Sequence, residues 1–316
     1  MHATKTVTFA TANLFNFLQP PDAFYDFANI YEQEAWDEKC RWTKSQITKL
    51  RADVIGLQEV FSIESTKQLL AECGYPYFVT VDTPKLESGY IYSQPVVAVA
   101  SKHPILKCEK VVPPKEQMKG YITTPPAFSR SPLKAIIDVP NYGEVSVYVC
   151  HLKSQRATES SDKELSQPLL GKWLSSQQRG WEAVMLRLFM DDQYTKTPTP
   201  TIVLGDMNQT LKSDITNPLT TNLNDDERGL ILKDSWELCD NDDSHAVRPP
   251  THYHFAKGNV LDYILMSQEF QPDSHYSIAD VIRYVTLDHH LINPQFEHDK
   301  QASDHAFVAV TVKLVV

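Results

Sequence analysis

The strongest constraint on this chain is a pattern that recurs at five places, where an apolar, strand-like run stops abruptly at a residue suited to metal, acid or base chemistry. VTFATAN ends at Asn13, DVIGLQE at Glu59, VSVYVCH at His151, and TIVLGDMN at Asp206 and Asn208, while SDHAFVAVTV opens with Asp304 and His305. One such coincidence would carry nothing. Repeated from Asn13 to His305, the pattern predicts a sheet-built core whose strand ends converge on a single polar site.

The run of elements fits that expectation. Strand-like segments fall at 6–13, 53–60, 77–81, 95–101, 105–112, 133–139 and 144–151, and resume at 201–205, 259–266, 278–285 and 306–315. Helical patterns lie near 41–51 and 62–73, each between strands. A longer one over 168–193 repeats Trp173, Leu174, Trp181, Val184, Met185, Leu188 and Phe189, mostly at three- and four-residue spacing. Arg179, among Gln177, Gln178 and Trp181, is expected on a partly exposed face of that helix. Strands interleaved with helices predict an α/β layered fold. The segments 14–40, 113–130, 152–167 and 209–228 read as long loops, and loops of such length usually carry function or are disordered. No repeat or Gly/Ser linker interrupts the chain, so residues 1–316 read as a single domain.

A formal charge of −10 and the lack of a basic run argue against a protein that holds nucleic acid tightly through counterion release. They leave room for an enzyme that binds divalent cations and must release its product. The five cysteines are far apart and never form a C-x-x-C, so buried thiols are expected instead of a disulfide framework or a structural zinc site. No apolar run approaches the roughly 18 residues of a membrane span. The N-terminus lacks a signal-peptide core. A cytoplasmic setting is expected, or a secreted or periplasmic one if a leader has been removed. No obligate protein partner is evident.

Each candidate residue has a chemical reading and a plainer one. Asp206 and Asn208 lie two apart at a strand end and so face one site, where a carboxylate takes protons or metal and an amide orients water; a simple turn uses the same residues. Glu59 and Asp304 would supply the pair of carboxylates that Mg²⁺ requires, or be solvated strand ends. Asn13 alone signals little. His151 closes an alternating strand, where histidines are commonly structural. The adjacent Asp304-His305 offers metal binding and proton transfer together. Asp262 puts a charge inside the apolar VLDYILM and needs a partner such as a histidine. Arg130 in FSRSPLKA is either a phosphate clamp or half of a surface ion pair. His252/His254 and His289/His290 read as ordinary histidines, with an adventitious second metal site as the alternative.

The ordered set ATANLF, DVIGLQEV, FSRSPLKA, YVCHLKS, VLGDMNQT, THYHFAKGNVLDYIL and ASDHAFV resembles the endonuclease/exonuclease/phosphatase superfamily, from about residue 6 to the end. The resemblance implies a four-layer α/β/β/α sandwich of the deoxyribonuclease-I type and metal-dependent hydrolysis of phosphate esters. It implies metal binding centred on Glu59 with Asn13 and Asp304 close by. Asp206 and Asn208 would bind or orient the attacking water, or a second metal. His151 and His305 would serve the phosphoryl oxygens and protons, Asp262 would orient His305, and Arg130 would contact phosphate. A histidine at 151 is similar to the deoxyribonuclease-I and sphingomyelinase branches, whereas THYHFAKGN and NVLDYIL depart from the abasic-site endonuclease and inositol-phosphatase patterns.

These readings lead to in-line attack of an activated water on a phosphodiester, with His151 as candidate acid and Mg²⁺, Mn²⁺ or Ca²⁺ as cofactor. A nuclease that holds DNA or RNA transiently is the first expectation. A phosphomonoesterase or a sphingomyelinase-like lipid phosphodiesterase is the second, since segment 15–36 is rich in Phe and Tyr. A non-catalytic interaction module on the same fold is the third.

Overall fold

Two six-stranded sheets lie face to face in the computed structural model, which describes residues 6–222, 229–239 and 247–315. Along the chain the strands are β1 (Thr6–Phe17), β2 (Val54–Val60), β3 (Tyr77–Thr80), β4 (Val96–Ser101), β5 (Ile105–Lys110), β6 (Leu133–Val139), β7 (Gly143–His151), β8 (Thr201–Asp206), β9 (Lys233–Asp234), β10 (Asp262–Met266), β11 (Ala279–Leu287) and β12 (Phe307–Leu314). The first sheet has the order β11-β12-β1-β2-β4-β3 and the second β9-β10-β8-β7-β6-β5. Each sheet holds one parallel pair, β1 with β2 and β7 with β8, and every other pairing within them is antiparallel. A parallel pair needs a crossover. Helix α1 (Gln33–Leu50) supplies the first and α3 (Pro168–Lys196) the second, while α2 (Ile63–Glu72) follows β2.

Strand alternation sorts the side chains into layers. Phe9, Val54, Val97 and Val99 of the first sheet meet Leu133, Val147, Val149, Leu204 and Ile264 of the second in a dry interface. Their neighbours Ala10, Ala12, Ile55 and Leu57 point the other way, onto Trp36, Trp42, Ile47, Leu69 and Leu70 of α1 and α2. On the opposite outer face Tyr148, Cys150, Val203 and Leu265 pack against Ala183, Leu186, Met190 and Tyr194 of α3. The result is the expected four-layer helix–sheet–sheet–helix sandwich. The sheets approach closely at Gly56, where an added Cβ would fall 2.8 Å from Leu204 Cβ. That contact sits just before Glu59 on β2 and Asp206 on β8.

Two expectations change, and a third lies partly beyond the described residues. Segment 14–40 is not one loop: β1 continues to Phe17 and α1 begins at Gln33. The strand survives because Phe15 (φ 53°) and Asn16 (φ 50°) adopt left-handed backbone that absorbs a kink, after which Phe17 pairs with Val60. Of the expected loop 209–228, residues 223–228 lie outside the described residues. Arg179 is buried, not on an exposed face, and donates from Nη1 to the carbonyls of Lys153 and Ser154 at 2.9 and 3.2 Å.

Candidate active site

The four parallel strands finish at one end of the sandwich, and with them Asn13, Glu59, His151 and Asp206. His151 stands opposite Asp206 across β7 and β8, and Asp206 stands opposite Asp262, the first residue of β10. Strand β12 runs antiparallel to β1 and begins at the same end, which brings Asp304 and His305 there. The register of β2 slips between Leu57 and Val60, and Glu59 in the slip has φ 60°. A bulged, left-handed non-glycine residue is costly and re-aims a side chain, a feature that clusters at functional sites.

Asp206 is the hub. Its Oδ2 accepts from Asn13 Nδ2 at 3.2 Å, lies 3.3 Å from His151 Nε2 and 3.8 Å from His305 Nε2. Its Oδ1 accepts the Asn208 backbone N–H at 2.8 Å. Asn13 Nδ2 also donates to Glu59 Oε1 at 3.3 Å, and Glu59 Oε2 accepts the Asn16 N–H at 2.8 Å. His305 Nδ1 is 2.8 Å from Asp262 Oδ2. Leu152 carbonyl oxygen accepts from both Asn208 Nδ2 (2.9 Å) and Arg130 Nη1 (3.3 Å), which ties the arginine to the cluster.

Burial sets the electrostatics. Asp206 is pushed well above the ordinary carboxylate range, mainly by desolvation, with the charges of Asp262 and Glu59 adding; His305 and the Asn208 N–H oppose the rise. His305 moves well above its ordinary value: burial acts against the imidazolium, but Asp262, Asp206 and Asp304 together outweigh it. His151 is held well below, first by burial and then by the positive charges of Arg130, His305 and Lys153. A neutral His151 can give Asp206 a hydrogen bond from Nε2, which lies 3.3 Å from Oδ2.

Asn13 Oδ1 accepts the Phe15 N–H at 3.0 Å and its Nδ2 donates to two carboxylates, so it bridges Glu59 and Asp206. The remaining donors do suit a hard cation. Glu59 has lone pairs beyond its two hydrogen bonds, and Asp304 Oδ1 is buried without a hydrogen-bond partner. Asn208 spends its Nδ2 on Leu152 and so can offer Oδ1. Among the described residues, the tight groups of His and Asp donors are Asp206/Asp262/His305 and His252/Asp304/His305; Glu59 belongs to neither, and His289/His290 form none.

Several contributors escape a sequence reading. Ser303 Oγ donates to Asn13 carbonyl oxygen at 2.7 Å and accepts the His305 N–H at 3.0 Å, stapling the last strand to the first. Thr251 Oγ1 accepts the N–H groups of Leu261 and Asp262. On α3, the buried Glu182 accepts the Ser129 and Lys153 N–H groups, each at 2.7 Å, and so holds the loops that carry Arg130 and follow His151. Lys153 joins Arg130 near His151, and Arg156, paired with Glu159 at 3.2 Å, lies within the field of Lys153, a cationic corner on an acidic protein. Only the runs FSRSP and HLKSQR hint at it. Buried Lys39 of α1 lies within the fields of Glu59 and Asp304, beneath the rings of Phe15 and Tyr31 at 5.3 and 5.5 Å.

A model of the Endonuclease/Exonuclease/phosphatase family matches residues 40–305. No curated protein sequence matches the chain. Among solved structures, the human Nocturnin catalytic domain with bound sulfate anion superposes with a TM-score of 0.61 at 15% identity, covering 100% of this chain and 97% of that one. A humanized TDP2 from D. rerio gives 0.59 at 15% identity, with 98% and 100% covered. An endonuclease/exonuclease/phosphatase from Beutenbergia cavernae gives 0.54 at 19%, with 98% and 72% covered. These likenesses concern the fold.

Proposed function

Because the chain belongs to the Endonuclease/Exonuclease/phosphatase family, we propose that it is a divalent-metal-dependent phosphodiester hydrolase whose first substrate class is nucleic acid. The observation that carries this reading is the pairing of buried Asp206, ringed by hydrogen-bond donors, with a cationic corner of Arg130, Lys153 and Arg156. Such a site can hold an anionic ester beside a carboxylate poised to take a proton.

Glu59 and Asp304 would hold the cation, with Asn208 Oδ1 as a further oxygen. Oxygen donors of this kind suit Mg²⁺ or Mn²⁺. Once bound, the cation supplies neutralisation of charge on the phosphoryl oxygens. Asp206 orients a water and accepts its proton as the water oxygen attacks phosphorus in line. The His305 imidazolium donates to a phosphoryl oxygen, held in place by Asp262. His151 and Asn13 fix Asp206, and Arg130 engages a non-bridging or flanking phosphate oxygen. The leaving oxygen departs on the far side of phosphorus from Asp206 and takes its proton from solvent. An acidic surface with one small cationic corner favours brief substrate residence over tight binding.

Exposed aromatics favour a second reading, a lipid phosphodiesterase. Tyr25 faces the Arg130 guanidinium and is 47% exposed, Phe27 is 67% exposed, and Phe255, just past His254, is 91% exposed. The same rings would stack unpaired bases. No helix among the described residues is long and apolar enough to cross a membrane. Cys40, Cys73, Cys108 and Cys150 form no disulfide, which supports a reducing, cytoplasmic setting.

A parallel screen tests the proposal: plasmid DNA, single-stranded DNA, RNA, sphingomyelin vesicles and a phosphomonoester, each with Mg²⁺, Mn²⁺, Ca²⁺ or EDTA. We expect EDTA-sensitive cleavage of single-stranded nucleic acid, lost in Glu59→Gln and reduced about 100-fold or more in Asp206→Asn. Wild-type turnover by both variants would refute the mechanism, and selective turnover of sphingomyelin would favour the lipid reading.

A further inference from the structure

We propose that His252, Asp304 and His305 form a second divalent-cation site, suited to a nitrogen-seeking ion such as Zn²⁺ or Co²⁺, that shares Asp304 with the oxygen donors around Glu59 but does not use Glu59. His252 opens a short hairpin and stands directly opposite His305 in an antiparallel bridge, so both imidazoles project to one side with ring centroids 4.9 Å apart. They address the two oxygens of one carboxylate. His252 Nε2 is 3.8 Å from Asp304 Oδ2, and His305 Nε2 is 4.0 Å from Asp304 Oδ1.

Three ligand atoms within 4.8 Å of one another lie close to what a first-row cation demands. With metal–ligand bonds of about 2.0–2.2 Å, tetrahedral donors sit about 3.3–3.6 Å apart, so each pair must close by only a few tenths of an ångström to about 1.5 Å. Asp304 Oδ1 is buried without a hydrogen-bond partner while the side chain as a whole is 45% exposed, so the carboxylate has an oxygen free for a cation that arrives from solvent. The supporting shell is built as well. Asp262 holds His305 Nδ1 at 2.8 Å, which leaves Nε2 for the metal, and Thr251 ties the hairpin to the last strand through the Ala306 N–H at 2.7 Å. Two imidazoles favour Zn²⁺ or Co²⁺ over Mg²⁺.

A consequence follows that rests on the proposed hydrolytic mechanism. His305 Nε2 cannot bind a metal and donate a proton to a phosphoryl oxygen at once. An ion at this site therefore inhibits Mg²⁺-supported hydrolysis.

The test is a Co²⁺ titration of the full chain followed by visible absorption, which needs no substrate, with Zn²⁺ calorimetry alongside. Wild type and Glu59→Gln should both bind an ion that gives a Co²⁺–nitrogen spectrum, whatever Co²⁺ the Glu59 oxygen donors take up in addition. His252→Asn should bind at least about tenfold more weakly while keeping its circular dichroism and melting temperature in EDTA. His252→Gln serves as a second variant should the first misfold. Unchanged Co²⁺ binding in a folded His252 variant, or loss of the spectrum in Glu59→Gln, overturns the site. In activity assays Zn²⁺ should inhibit wild type about tenfold more strongly than His252→Asn, and equal inhibition overturns the regulatory consequence. If no phosphodiester is turned over, the hydrolase reading fails while the Co²⁺ titration still decides the site.

Discussion

Asp262 faces Asp206 across the β8–β10 ladder, so two carboxylates are buried side by side with the His305 imidazole in reach of both, at 2.8 and 3.8 Å. Neither charge is sustainable alone in that position. Asp262→Asn should therefore act through His305. Among the groups that raise the histidine Asp262 is the largest, so the imidazole should titrate lower in the variant. The imidazolium contributes stability that is full below the unfolded value of 6.5 and lost as pH rises through the raised folded value; that contribution should shrink. We expect kcat to fall about 100-fold or more with KM little changed, and NMR titration of His305 to move to lower pH. An unmoved titration would show that Asp262 does not set the charge of His305.

Asn13 separates Glu59 from Asp206 by donating to both. Asn13→Asp replaces those donors with a third carboxylate. Asp206, already raised by burial and by its acidic neighbours, should rise further, and the acidic limb of the activity profile should move to higher pH. A profile that coincides with wild type in pH and differs only in height would count against Asp206 as the group that limits activity on the acid side.

Glu182 secures two loops with one buried carboxylate. Glu182→Gln keeps the shape but turns an N–H donor toward either Ser129 or Lys153, whose own N–H groups need acceptors. A lost hydrogen bond to a charged group costs about 1.5–3 kcal/mol, so the denaturation midpoint should drop accordingly. Arg130 and Lys153 ride on those loops, and KM should rise as well. A variant that is destabilised yet keeps wild-type KM would separate the staple from the cationic corner.

Lys39 gives the stability curve its own pH signature. Burial lowers its ammonium to about 8 from an ordinary 10.5, partly offset by Glu59 and Asp304. Between those values the unfolded chain holds more protons than the folded one, so this group makes stability rise with pH across the window. The cost below pH 8 amounts to roughly 3 kcal/mol at full shift. Lys39→Met should raise stability at neutral pH and flatten the rise between pH 8 and 10.5, checked by chemical denaturation at stepped pH. A curve parallel to that of wild type would show that the folded protein holds the Lys39 proton with its ordinary affinity.

Local pattern made much of this molecule legible before any coordinates. Alternation in runs such as Phe9-Ala10 and Val147-Tyr148 marks strands covered on both faces, and the abrupt polar stops mark the end where Asn13, Glu59, His151 and Asp206 gather. What escaped depends on contacts between distant segments. Periodicity leaves Arg179 on the rim of a helix, because it cannot see the carbonyls of Lys153 and Ser154 that let a guanidinium be buried. Lys39 falls in the segment 14–40 expected as a loop, and only the approach of Glu59 and Asp304 singles it out. His252 looks ordinary until the bridge to His305 places it beside Asp304. The cations at 130, 153 and 156 make no run in sequence and meet through two loops held by one glutamate.

The position of β12 has a bearing on how the protein is made. This strand, Phe307–Leu314, is inserted between β11 and β1, and its Val308 pairs with Thr11 near the opposite end of the chain. On the ribosome it emerges after every other strand described. A nascent polypeptide stopped short of it lacks the strand that joins β11 to β1, and so the anchor that carries Ser303, Asp304 and His305 to the site. Partial translation products therefore cannot assemble the candidate site, which forms only after nearly all of the described chain has been synthesised.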